Sequence, residues 1–295
     1  MSPSPIVVVH AGAGGLGDDL REQEAECRAA LERALSAGAE KLDAGGDAID
    51  AACAAVMVME GFPLFNAGYG SVLCSDGSVE MSAAAMRGSD RAAGAMALLR
   101  RTRHPILAAR TLLEEPVVML AGERADAHAA AQGLEQHDPS EFVTDRQRAR
   151  LERWLNRRSE ESDRGTVGAV CLDASGLLAA ATSTGGRLGQ RPGRVGDSPL
   201  IGAGTWADPR VAVSCTGAGE SYIRAGAARL LGALVADGVA LGVAAGTVMR
   251  EIAECDGVGG LIAVDAEGNV STPFSTEAMP RGILRLGEPS VVEIP

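Results

Sequence analysis

One place in this 295-residue chain could make a nucleophile and its base out of a single residue. Arg164-Gly165-Thr166-Val167-Gly168 joins a charged stretch to a run of β-formers. A threonine that opens a strand is ordinarily a β-former and nothing more. Its surroundings allow another reading. If the Gly165–Thr166 bond were cut, Thr166 would carry a free α-amine. Such an amine has a reference pKa of about 7.7–8.0. It could take the proton of the hydroxyl on its own residue near neutral pH, which is the N-terminal threonine form of nucleophilic catalysis.

Three loops rich in hydroxyls and glycines bound strand-like runs: Thr182-Ser183-Thr184-Gly185-Gly186, Arg194-Val195-Gly196-Asp197-Ser198-Pro199 and Ser214-Cys215-Thr216-Gly217-Ala218-Gly219-Glu220. Loops at strand ends are where sites are usually built. Arg194 could pair a carboxylate in bidentate fashion while Asp197 accepts from an ammonium, so the two could hold a zwitterion. Thr216 and Gly217 offer a hydroxyl and backbone N–H groups to a developing oxyanion. A surface ion pair with glycine-rich turns is the plain alternative. A fourth loop, with Gly12, Gly14 and Gly17, matches G-x-G-x-x-G and admits a nucleotide-binding oxidoreductase. Against that, Asp18 and Asp19 put two negative charges where pyrophosphate would sit. A second helix also follows the first, where the fingerprint needs a strand.

These residues need elements to position them. Ile6–His10 reads as a buried strand, Asp18–Leu42 and Ala48–Met59 as helices, and Pro63 to Gly70 as a loop. Ser71–Cys74 and Val79–Met86 read as strands around Asp76-Gly77, with Ala92–Leu99 a third. A helix is expected over Ile106–Glu114 and a strand near Val117–Ala121. Residues 134–165 are rich in Asp, Glu and Arg. They read as a surface linker with a short helix over 148–158 and a mobile end at 159–164. Strands follow at Thr166–Asp173, Leu177–Ser183, Leu200–Gly204 and Val211–Cys215. Helices come next at Glu220–Val235 and Leu241–Glu254, then a hairpin of Leu261–Asp265 and Val270–Pro273. Hairpins mixed with helices argue for packed antiparallel sheets with helices outside, not a doubly wound parallel sheet.

Composition removes several function classes. With 38 Gly but only four Phe, two Trp and two Tyr, the core must be filled by Ala, Val, Leu and Ile. A net charge of −12 argues against nucleic acid and anionic membranes as partners. Lys41 is the only lysine, so there is no P-loop ending and one candidate Schiff base at most. The six cysteines and four histidines show no CxxC or HExxH spacing, which argues against zinc. The cysteines read as reduced thiols. The N-terminus lacks a signal-peptide pattern, and no apolar run reaches about 18 residues. A cytoplasmic chain is expected.

Nearly the whole sequence resembles the plant-type asparaginase/isoaspartyl peptidase family of N-terminal nucleophile hydrolases. The matching segments are VVVHAGAGG, GGDAIDAACAAV, FPLFNAGYGSVL, GTVGAVCLD, AATSTGG, GRVGDSPLIGAG, SCTGAGE and GGLIAVDAEGN with FSTEAM, in the family's order over residues 6–279. The resemblance implies an α+β fold, a four-layer αββα sandwich. It implies self-cleavage between Gly165 and Thr166, giving pieces 1–165 (with a tail from about 134) and 166–295 that form one domain. Thr166 would be the nucleophile and Thr184 its hydrogen-bonding second threonine. Thr216 and Gly217 would be the oxyanion hole, and Asn66 a residue facing the nucleophile. Arg194 and Asp197 would clamp the aspartyl α-carboxylate and α-amine, with backbone contacts at Gly217 and Gly219.

The resemblance further implies hydrolysis of β-aspartyl bonds in isoaspartyl dipeptides and L-asparagine, releasing L-aspartate with no catalytic cofactor. A structural sodium ion would sit on backbone carbonyls of Met59, Glu60, Phe62, Phe65, Ala67 and Tyr69. The assembly would be a dimer of cleaved protomers. Ala11, Ser82 and Arg87 depart from the family's usual residues, which leaves the leaving-group side open. A glycosylasparaginase-like amidase and a relative that never cleaves itself are the other readings.

Overall fold

The computed structural model describes residues 4–14, 22–157 and 165–295. In chain order the strands are β1 (Ile6–His10), β2 (Met81–Arg87), β3 (Ala93–Leu99), β4 (Met119–Ala121), β5 (Val167–Leu172), β6 (Leu178–Thr184), β7 (Thr205–Ala207), β8 (Val211–Gly217), β9 (Gly259–Asp265), β10 (Val270–Ser271), β11 (Arg281–Arg285) and β12 (Val291–Glu293). The helices are α1 (Glu24–Asp43), α2 (Ala48–Glu60), α3 (Pro105–Thr111), α4 (Glu123–Ala131), α5 (Asp145–Arg157), α6 (Gly219–Ala225), α7 (Ala227–Ala236) and α8 (Leu241–Glu254). The strands form two sheets, ordered β12-β11-β1-β5-β6-β2-β3-β4 and β10-β9-β8-β7. Among the described strands only β3 and β4 pair in parallel.

Alternation along the strands decides what each face holds. Val7, Val9, Val167, Ala169, Cys171, Ala179 and Ala181 join one core with α1 to α4. Ile6, Val8, Val170, Leu172, Leu178 and Ala180 join a second core with the smaller sheet and α6 to α8. Alanine lets α2 pack closely against both its neighbour α1 and strands β5 and β6 of the larger sheet. Ala48, Ala51, Ala52, Ala54 and Ala55 are all buried, and alanine is also the best helix former. Asp173, in the β5–β6 turn, accepts the Ala48 N–H at 3.1 Å and so caps α2 from outside the helix.

Antiparallel sheets with outside helices are what the hairpins and periodicity imply, and the mixed α+β class holds. Several elements differ. Ser71–Cys74 is irregular because Asn66 Oδ1 takes the Val72 N–H and the Leu73 carbonyl takes the Gly189 N–H. The strand expected at Leu200–Gly204 begins instead at Thr205, since Asp197 to Gly204 coils through turns. The helix expected over Glu220–Val235 is two helices, broken at Gly226 in the left-handed conformation (φ 57°). Helix α4 and the β11–β12 pair carry no clear pattern in the sequence. The charged stretch from 134 is folded through α5: Phe142 and Leu151 are buried, as is Gln147. The mobile end expected at 159–164 and the start of the helix expected from Asp18 lie outside the described residues.

All six cysteines are unpaired, and burial pushes the Cys171 and Cys215 thiols well above their usual range. Among the described residues no helix is long and apolar enough to cross a membrane.

Candidate active site

The β5–β6 register sets Val167 opposite Ser183, which brings Thr166 beside Thr184. Thr166 Oγ1 donates to Thr184 Oγ1 at 3.3 Å. Thr184 Oγ1 also takes the Gly186 N–H at 3.0 Å and donates its own hydrogen to the Gly165 carbonyl at 3.0 Å. A second donor reaches the same carbonyl: Asn66 Nδ2, at 2.8 Å. The carbonyl of the Gly165–Thr166 bond is therefore held by two hydrogen-bond donors, with a hydroxyl on the next residue. Donors aimed at a carbonyl oxygen stabilise the charge that builds there when a nucleophile adds.

Asn66 is held from several sides. Its Nδ2 also donates to Gly186 O at 2.7 Å, and its own carbonyl accepts the Gly185 N–H at 3.0 Å. The loop that carries it is fastened by Gln147 of α5, whose Nε2 donates to Gly70 O at 2.8 Å. Buried Glu60, at the end of α2, accepts from Ser183 Oγ at 2.6 Å and from Ile106 N at 2.9 Å. It therefore ties the start of the loop to the strand that bears Thr184. Gly165 has little room: a Cβ there would stand 2.7 Å from Asn66 Cβ. Gly165→Ala should displace Asn66 and slow self-cleavage by about tenfold or more. A time course on denaturing gels reads this, and a wild-type rate would remove Asn66 from the cleavage geometry.

Thr216 is buried, and its Oγ1 accepts the Ala13 N–H at 3.1 Å. The hydroxyl hydrogen is thus left for a ligand oxygen. Gly217 follows with φ 152°, and a side chain there would run into the Val258 carbonyl. The Arg194 guanidinium is held by Glu220 at 2.9 and 3.1 Å and by Gln190 Oε1 at 3.2 Å. The same contact keeps the Glu220 carboxyl below its usual range. Asp197 is buried, and its Oδ2 has no partner among the described residues. Burial pushes its pKa up to about 7, against the pull of Arg194. Gly219 has no side chain where Asp197 Oδ1 and Arg194 Nη2 both approach within 3 Å of the Cβ position. Thr166, Thr184, Arg194, Asp197, Gly217 and Gly219 line one cavity of about 20 Å³, which Gly165 also walls. That is room for about one water.

The sequence profile described as asparaginase matches residues 3–292. The chain belongs to the asparaginase family. An isoaspartyl peptidase of Salmonella typhimurium is 43% identical, with 94% of each chain covered. An isoaspartyl peptidase of Escherichia coli is also 43% identical, over 94% of this chain and 91% of the relative. An isoaspartyl peptidase/L-asparaginase of Bos taurus is 40% identical, over 94% and 92%.

Within this asparaginase-family chain, the sequence-derived residues fall into three places. Thr166, Thr184, Arg194, Asp197, Gly217 and Gly219 share the cavity, with Gly165 as its wall. Thr216 lies beside it on β8, and Asn66 reaches it through the Gly165 carbonyl. Met59, Glu60, Phe62, Phe65, Ala67 and Tyr69 stand apart in and before the loop that presents Asn66. Of the departures, Ser82 pairs across from Thr184 but its Oγ accepts the Leu98 N–H, and Arg87, at the far end of β2, is paired with Asp90 and Glu114. Neither lines the cavity.

Gln190 and Ala13 join the site without a signal of their own in the sequence, and Glu220, though part of the third loop, has no expected role there. Ala13 meets Thr216 across 203 residues and Glu220 meets Arg194 across 26, whereas Gln190 lies only four residues from Arg194. The glycine loop proves closed to phosphate from Ala11 to Gly14. Those four N–H groups go to Pro280 O, His10 Nδ1, Thr216 Oγ1 and Ala278 O. Gly17 lies outside the described residues.

Proposed function

We propose that this chain is a self-processing N-terminal threonine amidohydrolase that cleaves β-aspartyl bonds in isoaspartyl dipeptides and L-asparagine. The observation that carries it is the Gly165 carbonyl, held by Asn66 Nδ2 and Thr184 Oγ1 with the Thr166 hydroxyl next to it. In the first stage Thr166 Oγ1 attacks that carbonyl. The C–N bond breaks, the proton passes to the departing amine, and water hydrolyses the resulting ester. Gly165 then leaves the cavity, which is too small for an aspartyl group while the chain is intact.

In the second stage the freed amine takes the Thr166 hydroxyl proton as Oγ1 attacks the substrate's side-chain carbonyl. Thr216 Oγ1 and the Gly217 N–H receive the oxyanion. Ammonia or an amino acid leaves, and water releases aspartate. The zwitterion selects the bond. Arg194 takes the α-carboxylate, with Glu220 giving up part of its hold. The unpartnered Asp197 Oδ2 takes the α-ammonium. Both must sit on one carbon, so the cleaved carbonyl belongs to the side chain. In an α-aspartyl dipeptide the carbon that bears the free amine has no free α-carboxylate to offer.

The loop from Met59 to Tyr69 suits a sodium ion by donor chemistry. The carbonyls of Met59, Phe62, Phe65 and Ala67 each accept one backbone N–H and keep a lone pair. Gly70 has no side chain where the Phe62, Pro63 and Phe65 carbonyls crowd together. Such an ion would stiffen the loop that holds Asn66, and no step passes through it. The four-layer αββα arrangement of N-terminal nucleophile hydrolases, assembly as a dimer of cleaved protomers and a cytoplasmic setting belong to the same proposal.

The test is kcat and kcat/KM for L-asparagine, β-aspartyl dipeptides and α-aspartyl dipeptides across pH. Only the first two should be hydrolysed. Asp197 must be ionised to accept an ammonium, and its raised pKa puts that loss near pH 7. The Thr166 amine must be neutral, with a reference value of about 7.7–8.0. In the free enzyme both conditions fail as pH falls, so kcat/KM should approach two-proton dependence. In the complex the bound ammonium holds Asp197 ionised, so kcat should fall with one proton. A one-proton limb in kcat/KM would remove Asp197 from the clamp, and turnover of the α-dipeptide would refute the substrate class.

A further inference from the structure

Beneath the nucleophile, four buried side chains form an unbroken line to which the proposed reaction assigns no step. His10, Gly168 and Thr182 lie side by side on β1, β5 and β6. Gly168 has no side chain because Ser214 Oγ descends from the facing sheet into the place a Cβ would take. Ser214 thereby spans the gap. Its Oγ is 3.0 Å from His10 Nε2 and 2.8 Å from Thr182 Oγ1. Thr182 Oγ1 is in turn 2.7 Å from Thr205 Oγ1, which donates to the Ser198 carbonyl at 3.0 Å.

Thr205 Oγ1 reaches both Thr182 Oγ1 and the Ser198 carbonyl and has one hydrogen to give, so the hydrogens can run from His10 Nε2–H along the line to Ser198, or back from Thr205 through Thr182 and Ser214 to His10 Nε2. Burial keeps the ring neutral by lowering its pKa to about 3, against a hydrogen bond with the Thr166 backbone. In either sense every link between the four side chains is made, so the spacing of the line is fixed.

Its two ends matter. At one end Gly12 is followed by Ala13, whose N–H sets the Thr216 hydroxyl. At the other, Ser198 follows Asp197, whose Oδ2 is the free acceptor. We propose that His10, Ser214, Thr182 and Thr205 are positioning residues that fix the separation between the oxyanion donor Thr216 and the ammonium acceptor Asp197. The line is thus an internal ruler for an aspartyl group. Valine could fill the space of Thr182 or Thr205 without buried hydroxyls, so packing alone does not call for them. This inference rests on the proposed β-aspartyl activity.

The test uses Thr182→Val and Thr205→Val beside Thr182→Ser, each on the self-processed protein. Two substrates are compared: L-asparagine and succinamic acid, which is asparagine without its α-amine. In the wild type the amine should raise kcat/KM strongly. In the valine variants the asparagine value should fall about tenfold to a hundredfold, the cost of a misplacement of an ångström or less. The succinamic acid value should stay within about twofold. Thr182→Ser should restore the advantage. A merely structural role would lower both substrates together or neither, and that would overturn the ruler. A second readout is independent of turnover. The His10 Nε2 nitrogen resonance in histidine-labelled protein should shift in Thr182→Val, two hydrogen bonds away. An unmoved resonance would also overturn it. A wild type that hydrolyses neither substrate refutes the parent activity, and the resonance still decides the line.

Discussion

Thr166→Ala should remain a single 295-residue chain and release no aspartate. The wild type should give pieces 1–165 and 166–295, the second beginning Thr-Val-Gly. On the proposed mechanism, removing the hydroxyl removes both reactions at once, because the same Oγ1 attacks the Gly165 carbonyl first and the substrate afterwards. Loss of a nucleophile costs at least about 10⁴-fold where its partners remain in place. The change deletes one 3.3 Å hydrogen bond at a buried position, so stability should fall by only about 1 kcal/mol. A thermal midpoint close to that of wild type shows that the fold survives. Aspartate released from a β-aspartyl dipeptide by this variant would mean another nucleophile.

Asn66→Ala should accumulate uncleaved precursor. Thr184 alone would then polarise the Gly165 carbonyl, and loss of one such donor typically slows an acyl transfer by about 10² to 10³. Alanine also strands the Val72 N–H, which costs about 1–3 kcal/mol when buried. Asn66→Asp separates these effects. It keeps an acceptor for Val72 but sets an oxygen against the Gly165 and Gly186 carbonyls. Both variants should stall in a cleavage time course followed by gel. Processing of Asn66→Asp at the wild-type rate would leave Thr184 as the working donor.

Much of the fold and of the site is written in local patterns of the sequence. The change from the charged stretch to Thr166-Val167 marks the junction, because β-formers follow a segment with little apolar content. The turns at Asp173 and Asp265 are legible since each aspartate takes backbone N–H groups two and four residues on. What stays hidden is mostly non-local. Ser71–Cys74 has the composition of a strand, but its backbone groups are claimed by Asn66 and Gly189. The β11 strand exists because β1 offers it an edge far earlier in the chain. His10 and Ser214 stand 204 residues apart and meet only because Gly168 leaves a gap. Family resemblance points to Asn66 and Thr184; no spacing rule pairs either with Gly165.

The strand order of the larger sheet has a consequence for the protein if it is cut at the proposed bond. β1 comes from before the Gly165–Thr166 bond, yet it is flanked by β11 and β5 from after it. β6 from the later piece likewise abuts β2 from the earlier one. Cutting that one bond separates nothing, since the two polypeptides are woven through a common hydrogen-bonded ladder. It does change what happens on unfolding. Before the cut, renaturation is a first-order event within one molecule. Afterwards two chains must find each other and interleave, so recovery from heat or urea would depend on concentration and compete with aggregation. If the chain is cut there as proposed, the native state is one that is hard to regain once it is lost.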